Sequence, residues 1–201
     1  MKRVLVSIAI AGSLLACAAR ADARQLDVIV GGAISPPNLS DYRSSGTALG
    51  YDTRSTTLMY ELEASAQLGI AYDGWLTVGP LLRASLGHLG APYDGVQPIT
   101  TDALFLGVRA EAAVFDWPRL FFWADVTGGL GWIGQPGAYE SVGAWAVRGG
   151  VGMRIGKDAG GVRMRFGYGV APTVSPVTPT TGKFDFGGFV IALDGVIRVL
   201  G

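Results

Sequence analysis

The sequence predicts an all-β fold, an eight-stranded antiparallel up-and-down transmembrane β-barrel. One reason is a period of two in hydrophobicity that recurs along the chain and gives each segment an apolar face and a polar face. The other is composition: only 16% of the 201 residues are charged, whereas a soluble domain carries about 25%. Beyond the N-terminal segment no apolar run reaches the roughly 18 residues of a membrane helix, so a helical membrane protein is not expected.

The N-terminus predicts an export signal. Lys2 and Arg3 precede an apolar run over 4–18, and Ala21-Asp22-Ala23 fits the small-x-small cleavage pattern. Cleavage after Ala23 divides the chain into a signal peptide, 1–23, and a single barrel domain, 24–201.

A competing interpretation of the same segment stays open. Leu14-Leu15-Ala16-Cys17 resembles a bacterial lipobox, in which Cys17 is lipidated and becomes the first residue. Because Cys17 is the only cysteine and lies inside the signal, the mature fold is expected to use no disulfide.

The segment 58–72 shows the alternation most plainly. Its even positions, such as Leu58 and Leu62, are apolar, and its odd positions include Glu61 and Glu63. At about fifteen residues it is longer than the usual strand of about five or six, which favours a strand that crosses a membrane. It is preceded by a first strand at 25–32.

Six further segments alternate in the same way. They are 75–89, 102–115, 120–133, 144–156, 161–171 and a last strand that starts near 183. Pro80 removes a backbone donor, so a bulge or another local irregularity is expected there. In the last strand the apolar residues change parity after Gly187-Gly188, which predicts a phase slip of the kind that a β-bulge produces.

The connections are predicted to alternate in length. Asp73-Gly74 is a tight hairpin signal, and short turns are also expected at 116–119 and 157–160. Longer loops are expected at 34–54, 90–101, 134–143 and 172–182. This rhythm is typical of bacterial outer-membrane barrels, which have short periplasmic turns and longer external loops. With eight strands, both termini would lie on the periplasmic side.

Composition assigns the polar face to the barrel interior. A water-facing surface would carry roughly 25–35% charged residues, whereas this face is mainly Gly, Ala, Ser and Thr. An Arg on the lipid face costs about 2–4 kcal/mol at the bilayer midplane. The predicted interior charge network consists of Glu61, Glu63, Arg83, Arg109, Glu111, Asp125, Arg148, Arg154, Arg163 and Arg165.

Aromatic residues cluster near the predicted strand ends. Such girdles are typical of the two membrane–water interfaces. The alternative is that they are ordinary core aromatics. The predicted interface set is Tyr60, Tyr72, Trp75, Trp117, Trp132, Trp145 and Tyr168.

In these features the mature chain resembles the small outer-membrane barrels of the OmpA transmembrane-domain and OmpX-like group. The resemblance covers the architecture rather than a motif. It implies the bacterial outer membrane as location, and as partners outer-membrane lipids, lipopolysaccharide, the barrel-assembly machinery and periplasmic chaperones. One departure is the C-terminus, Ile197-Arg198-Val199-Leu200-Gly201, which lacks the terminal aromatic usual in that group.

The function expected from these residues is structural or surface-interacting, without catalysis. The interior of an eight-stranded barrel is filled by side chains. The net charge of +0 does not favour nucleic acid as a partner. No cofactor or metal motif is present, and a monomer with an extracellular ligand at its long loops is expected.

Two functional alternatives stay open. The first is a lipid A-modifying barrel enzyme, an acyl hydrolase or transferase acting through His88, the only histidine. The deacylase pattern requires a serine two residues further on, where this chain has Gly90. The second is a small lipid-binding barrel or pore. Glu61, Glu63 and Glu111 are a weaker acid/base candidate, for which a salt-bridge network is the preferred interpretation.

Overall fold

The structure is a computed structural model, and it describes residues 25–38, 58–70, 74–89, 99–116, 118–135, 138–156, 160–174 and 184–200. The predicted signal peptide, including Cys17, lies outside the described residues. No helix in these ranges is long and apolar enough to cross a membrane.

The described chain is all-β. Its strands are β1 Leu26–Ser35, β2 Pro37–Asn38, β3 Met59–Gly69, β4 Leu76–Leu89, β5 Ile99–Asp116, β6 Arg119–Gln135, β7 Ala138–Ile155, β8 Gly160–Val170 and β9 Asp185–Leu200. Apart from the two-residue β2, each strand pairs antiparallel with its neighbours in the chain, and β1 also pairs with β9. The sheet therefore closes, and the prediction of an eight-stranded antiparallel barrel is confirmed.

The barrel has two ends. The end at which β1 and β4 finish and β3 and β5 begin is called the loop end. The opposite end, where β1 begins at Leu26 and β9 finishes at Leu200, is called the termini end.

Burial alternates along the strands as the sequence predicts. In β3 the side chain of Glu61 is 2% exposed and that of Leu62 is 65% exposed. The same inversion recurs in the other barrel strands, so most large apolar side chains point outwards and most ionised ones inwards.

One predicted connection is wrong. The loop expected at 134–143 is mostly strand, because β6 continues to Gln135 and β7 starts at Ala138. The two strands pair from Gln135 with Ala138 onwards, which leaves only 136–137 between them. The turn residues Pro136-Gly137 suggested a longer loop, but Val142 and Ala144 already face the interior. The strict alternation of short and long connections is therefore broken here.

The predicted phase slip in β9 is also wrong. Phe184 and Phe186 are buried on the same side as Val190 and Ala192, so the inward parity does not change at Gly187-Gly188. Because these aromatic rings point into the barrel, their parity is that of the interior face. The irregularity at this place lies in the pairing with β2, whose register shifts between Pro37 and Asn38.

Pro80 causes a milder irregularity. The register of β4 is the same on both sides of Pro80, but its ladder with β3 omits Ala66 and Gln67. Proline has no N–H to donate, and the ladder resumes at Leu81. No residue is inserted.

The interior is divided along the barrel axis. At the loop end it is filled by an apolar cluster, called the aromatic plug, of Met59, Ala103, Phe105, Ile133, Val142, Ala144, Ala146, Ala171, Phe184 and Phe186. Ionised side chains occupy the middle, and a second ionised group lies at the termini end.

Candidate functional site: ionised side chains inside the barrel

The middle of the barrel holds a network of five arginines and five carboxylates, called the central network. Its members come from seven strands, and each occupies an inward position of the two-residue alternation. They are Glu61, Glu63, Arg83, Arg109, Glu111, Asp125, Arg148, Arg163, Arg165 and Asp194. The charges of the ten cancel, which is what burial away from water requires.

Glu63 lies at the centre of this network. It accepts a hydrogen bond from Arg109 at 2.9 Å and another from Arg165. Arg148 approaches its second carboxylate oxygen at 3.7 Å. Three guanidinium groups from β5, β7 and β8 therefore converge on one carboxylate of β3, which ties opposite walls of the barrel together.

Asp125 extends the network towards β4. Arg109 donates to it at 2.8 Å, and Arg83 lies 3.8 Å from its other oxygen. The guanidinium of Arg83 also stacks over the ring of Phe105, 4.4 Å from the ring centroid. This contact joins the central network to the aromatic plug and adds a cation–π attraction.

Glu61 and Arg148 form a bidentate ion pair. Arg148 Nη1 donates to Glu61 Oε2 at 2.6 Å, and Nη2 donates to Oε1. Parallel bonds of this kind match the planar guanidinium fork to the carboxylate. The two residues are far apart in the chain, in β3 and β7.

Asp194 is the residue of the central network that sequence reasoning missed. It accepts from Arg163 Nε at 2.6 Å and from Arg165 Nε at 2.8 Å. Arg163 also donates to Glu111. A signal was present: Asp194 is the only ionised residue between Phe186 and Ile197. The predicted outward parity of Phe189 and Leu193 already placed Asp194 on the inward face, but it was not included in the predicted network.

The absence of a side chain at Gly31 leaves room for the carboxylate of Asp194. A Cβ atom at Gly31 would lie 2.1 Å from Asp194 Oδ1, well inside any normal contact. The two residues are partners in the β1–β9 ladder that closes the barrel.

A second ionised group lies at the termini end around Asp27, which sequence reasoning also missed. Asp27 accepts from Arg154 at 2.6 Å, from Arg198 at 3.0 Å and from the Gln25 amide at 2.7 Å. Arg154 was predicted to face the interior, and it does not join the central network in any described contact. The carboxylate of Asp27 is thus shared by two arginines, Arg154 and Arg198.

All carboxylates of both groups are paired with arginine, as charges buried away from water require. The structure brings Glu61 and Glu63 to the same arginine, Arg148, and pairs Glu111 with Arg163. Among the described side chains no group of three or more His, Cys, Asp or Glu could hold a metal ion.

The aromatic residues predicted for the interfaces point outwards where they are described. Tyr60, Trp75, Trp145 and Tyr168 are exposed, and Trp132 is half-buried. Tyr72 and Trp117 lie outside the described residues. The interior aromatics, Phe105, Phe121, Trp123, Phe184 and Phe186, are a different set.

His88 is described only in its backbone. It lies in β4 opposite Thr100, near the loop end. Its side chain and Gly90 lie outside the described part of the chain.

The chain was compared with protein-family models and with curated proteins. Neither comparison gives a match to this chain.

Proposed function

We propose that this protein is an integral β-barrel of the bacterial outer membrane with a structural or surface-interaction role and no catalysis. The observation that carries the proposal is the inverted burial of the barrel. Five of its largest fully buried side chains are arginines, while Leu62, Leu193 and Phe189 point outwards. A soluble protein buries its apolar residues and rarely exposes a large continuous apolar surface.

The apolar outer surface of the barrel suits a lipid environment. Exposed apolar side chains occur on all eight barrel strands, so the apolar surface encircles the barrel. A closed barrel also pairs its backbone groups internally, which a strand in lipid requires. The outward Tyr60, Trp75, Trp145 and Tyr168 would then lie at the membrane interfaces.

The filled interior supports a scaffold rather than a channel or an enzyme. The central network and the aromatic plug occupy the space inside, as expected for eight strands. In this proposal the outer-membrane lipids and lipopolysaccharide surround the barrel, and an extracellular ligand meets the connections at the loop end. The barrel is monomeric, reaches the membrane with periplasmic chaperones and the barrel-assembly machinery, and belongs with the OmpA transmembrane-domain and OmpX-like barrels.

Fractionation of bacteria that express the full chain tests the location. We expect the protein in the outer-membrane fraction, resistant to extraction by carbonate, with an SDS-gel mobility that changes on boiling. Recovery as a soluble periplasmic protein would refute the proposal.

Lipid A mass spectra separate the scaffold from an enzyme that uses His88. Cells with the wild-type chain and cells with His88→Ala should give the same spectra. A change in acylation that disappears in His88→Ala would replace the scaffold by an acyl hydrolase or transferase.

A further inference from the structure

We propose that a small cavity at the termini end of the barrel binds a phosphate group. The cavity measures about 20 Å³, which is enough for one water-sized group such as a single phosphate oxygen. Its lining includes the side chains of Arg119, Arg154 and Arg163, facing the carboxylates of Asp27 and Glu111. The wall thus carries more positive than negative groups.

The two carboxylates are already engaged. Asp27 is shared by Arg154 and Arg198, and Glu111 is paired with Arg163. Arg119 donates only to the backbone oxygen of Gly74 in the described contacts, which is a neutral acceptor.

Arg119 also lies within electrostatic range of two other guanidinium groups, those of Arg154 and Arg198. The carboxylates of Asp27 and Glu111 offset this repulsion only in part, and both are already paired with other arginines. A bound anion would relieve it, and the relief is large where burial lowers the effective dielectric constant.

Gln67 gives an independent indication of a ligand. Its side chain is 1% exposed and lines the cavity. Neither its amide nitrogen nor its amide oxygen has a hydrogen-bond partner among the described residues. An unmade hydrogen bond at a buried polar atom costs about 1–3 kcal/mol.

Arg163 Nη2 is buried in the same wall and also lacks a partner among the described residues. The Gln67 amide and Arg163 Nη2 are both N–H donors, and a phosphate oxygen accepts from such donors with charge-assisted strength. These two groups would hold the innermost oxygen.

The rest of the phosphate group faces the opening. Gln25, Glu111 and Arg119 are intermediate in exposure, so the cavity is reached from the termini end. Free phosphate and the head group of a phospholipid share this chemistry. The head group is a source only if the outer-membrane proposal holds, whereas binding of free phosphate does not depend on it.

The test uses the full barrel folded in a non-ionic detergent. Inorganic phosphate and glycerol 3-phosphate, the soluble form of a lipid head group, are titrated at constant ionic strength by calorimetry. Saturable binding of one equivalent supports the site. A tenfold preference for glycerol 3-phosphate assigns the lipid head group, and equal affinities assign free phosphate.

Variants locate the binding. Arg119→Gln and Gln67→Met should each weaken phosphate binding about tenfold, while both barrels keep their heat-modifiable mobility. Arg43→Gln, which removes the same charge from the connection between Asn38 and Met59, should bind as wild type does. If neither probe binds to the wild-type barrel, or if all variants bind phosphate equally well, the proposal is overturned, whatever the location of the barrel.

Discussion

Gly31 of β1 lies directly under the carboxylate of Asp194 in β9, where a Cβ atom would stand 2.1 Å from Oδ1. The two residues are partners in the β1–β9 ladder that closes the barrel, and the lack of a side chain at Gly31 leaves room for Asp194 to reach Arg163 and Arg165.

Gly31→Ala should therefore destabilise the barrel by about 3 kcal/mol, because the added methyl group displaces a carboxylate that holds two buried arginines. Unfolding by urea, followed by tryptophan fluorescence in detergent or lipid, measures the change. The matched control is Gly128→Ala, since a Cβ at Gly128 would have no neighbour within 4 Å. Equal midpoints for the two variants would contradict the assigned contact.

Glu63→Gln should destabilise the barrel by about 3–5 kcal/mol, because it leaves buried arginines without their shared carboxylate. Arg109 and Arg165 both donate to Glu63. The control is Glu140→Gln, whose side chain is exposed and should change the free energy of unfolding by less than about 0.5 kcal/mol. A loss for Glu63→Gln no larger than that of the control would remove the central network as a source of stability.

The outer face offers a test that depends on depth. Leu193 and Val199 are similarly exposed, at 59% and 56%, but Leu193 lies in the middle of β9 and Val199 near its end. In a bilayer Leu193→Arg should cost about 2–4 kcal/mol and Val199→Arg about 0–1 kcal/mol. Folding titrations in lipid vesicles give both values. Two small and equal costs would mean that this face meets water.

We expect the aromatic plug to stabilise the barrel and to block conductance through its interior. Phe186 is 1% exposed and packs edge-on against Phe105, whereas Phe189 is 66% exposed. Phe186→Ala should cost about 3–5 kcal/mol, and Phe189→Ala much less. In planar bilayers the wild-type barrel should show no conductance steps. Frequent steps from the wild-type protein would show that the plug does not seal the interior.

The alternation of β3 illustrates what could be predicted from local sequence. Glu61 and Leu62 are adjacent, and a strand must send them to opposite faces. The two faces of each strand and most strand limits followed from that rule, while the low charge content of the polar face indicated that it faces inwards. The rule was weakest at residues 134–143, where Pro136-Gly137 suggested a loop, and in β9, where inward phenylalanines resemble outward ones.

The sequence by itself determined which face of each strand is polar and how many strands close the barrel, because both depend on spacing within a segment. Only the tertiary structure decided which charges meet. Arg148 binds Glu61, which lies four strands earlier in the chain, and Asp194 packs over Gly31. Both contacts depend on the position of each side chain along the barrel axis, which the stagger and tilt of the closed sheet set. That position is a property of the whole barrel and cannot be derived from the sequence of one strand.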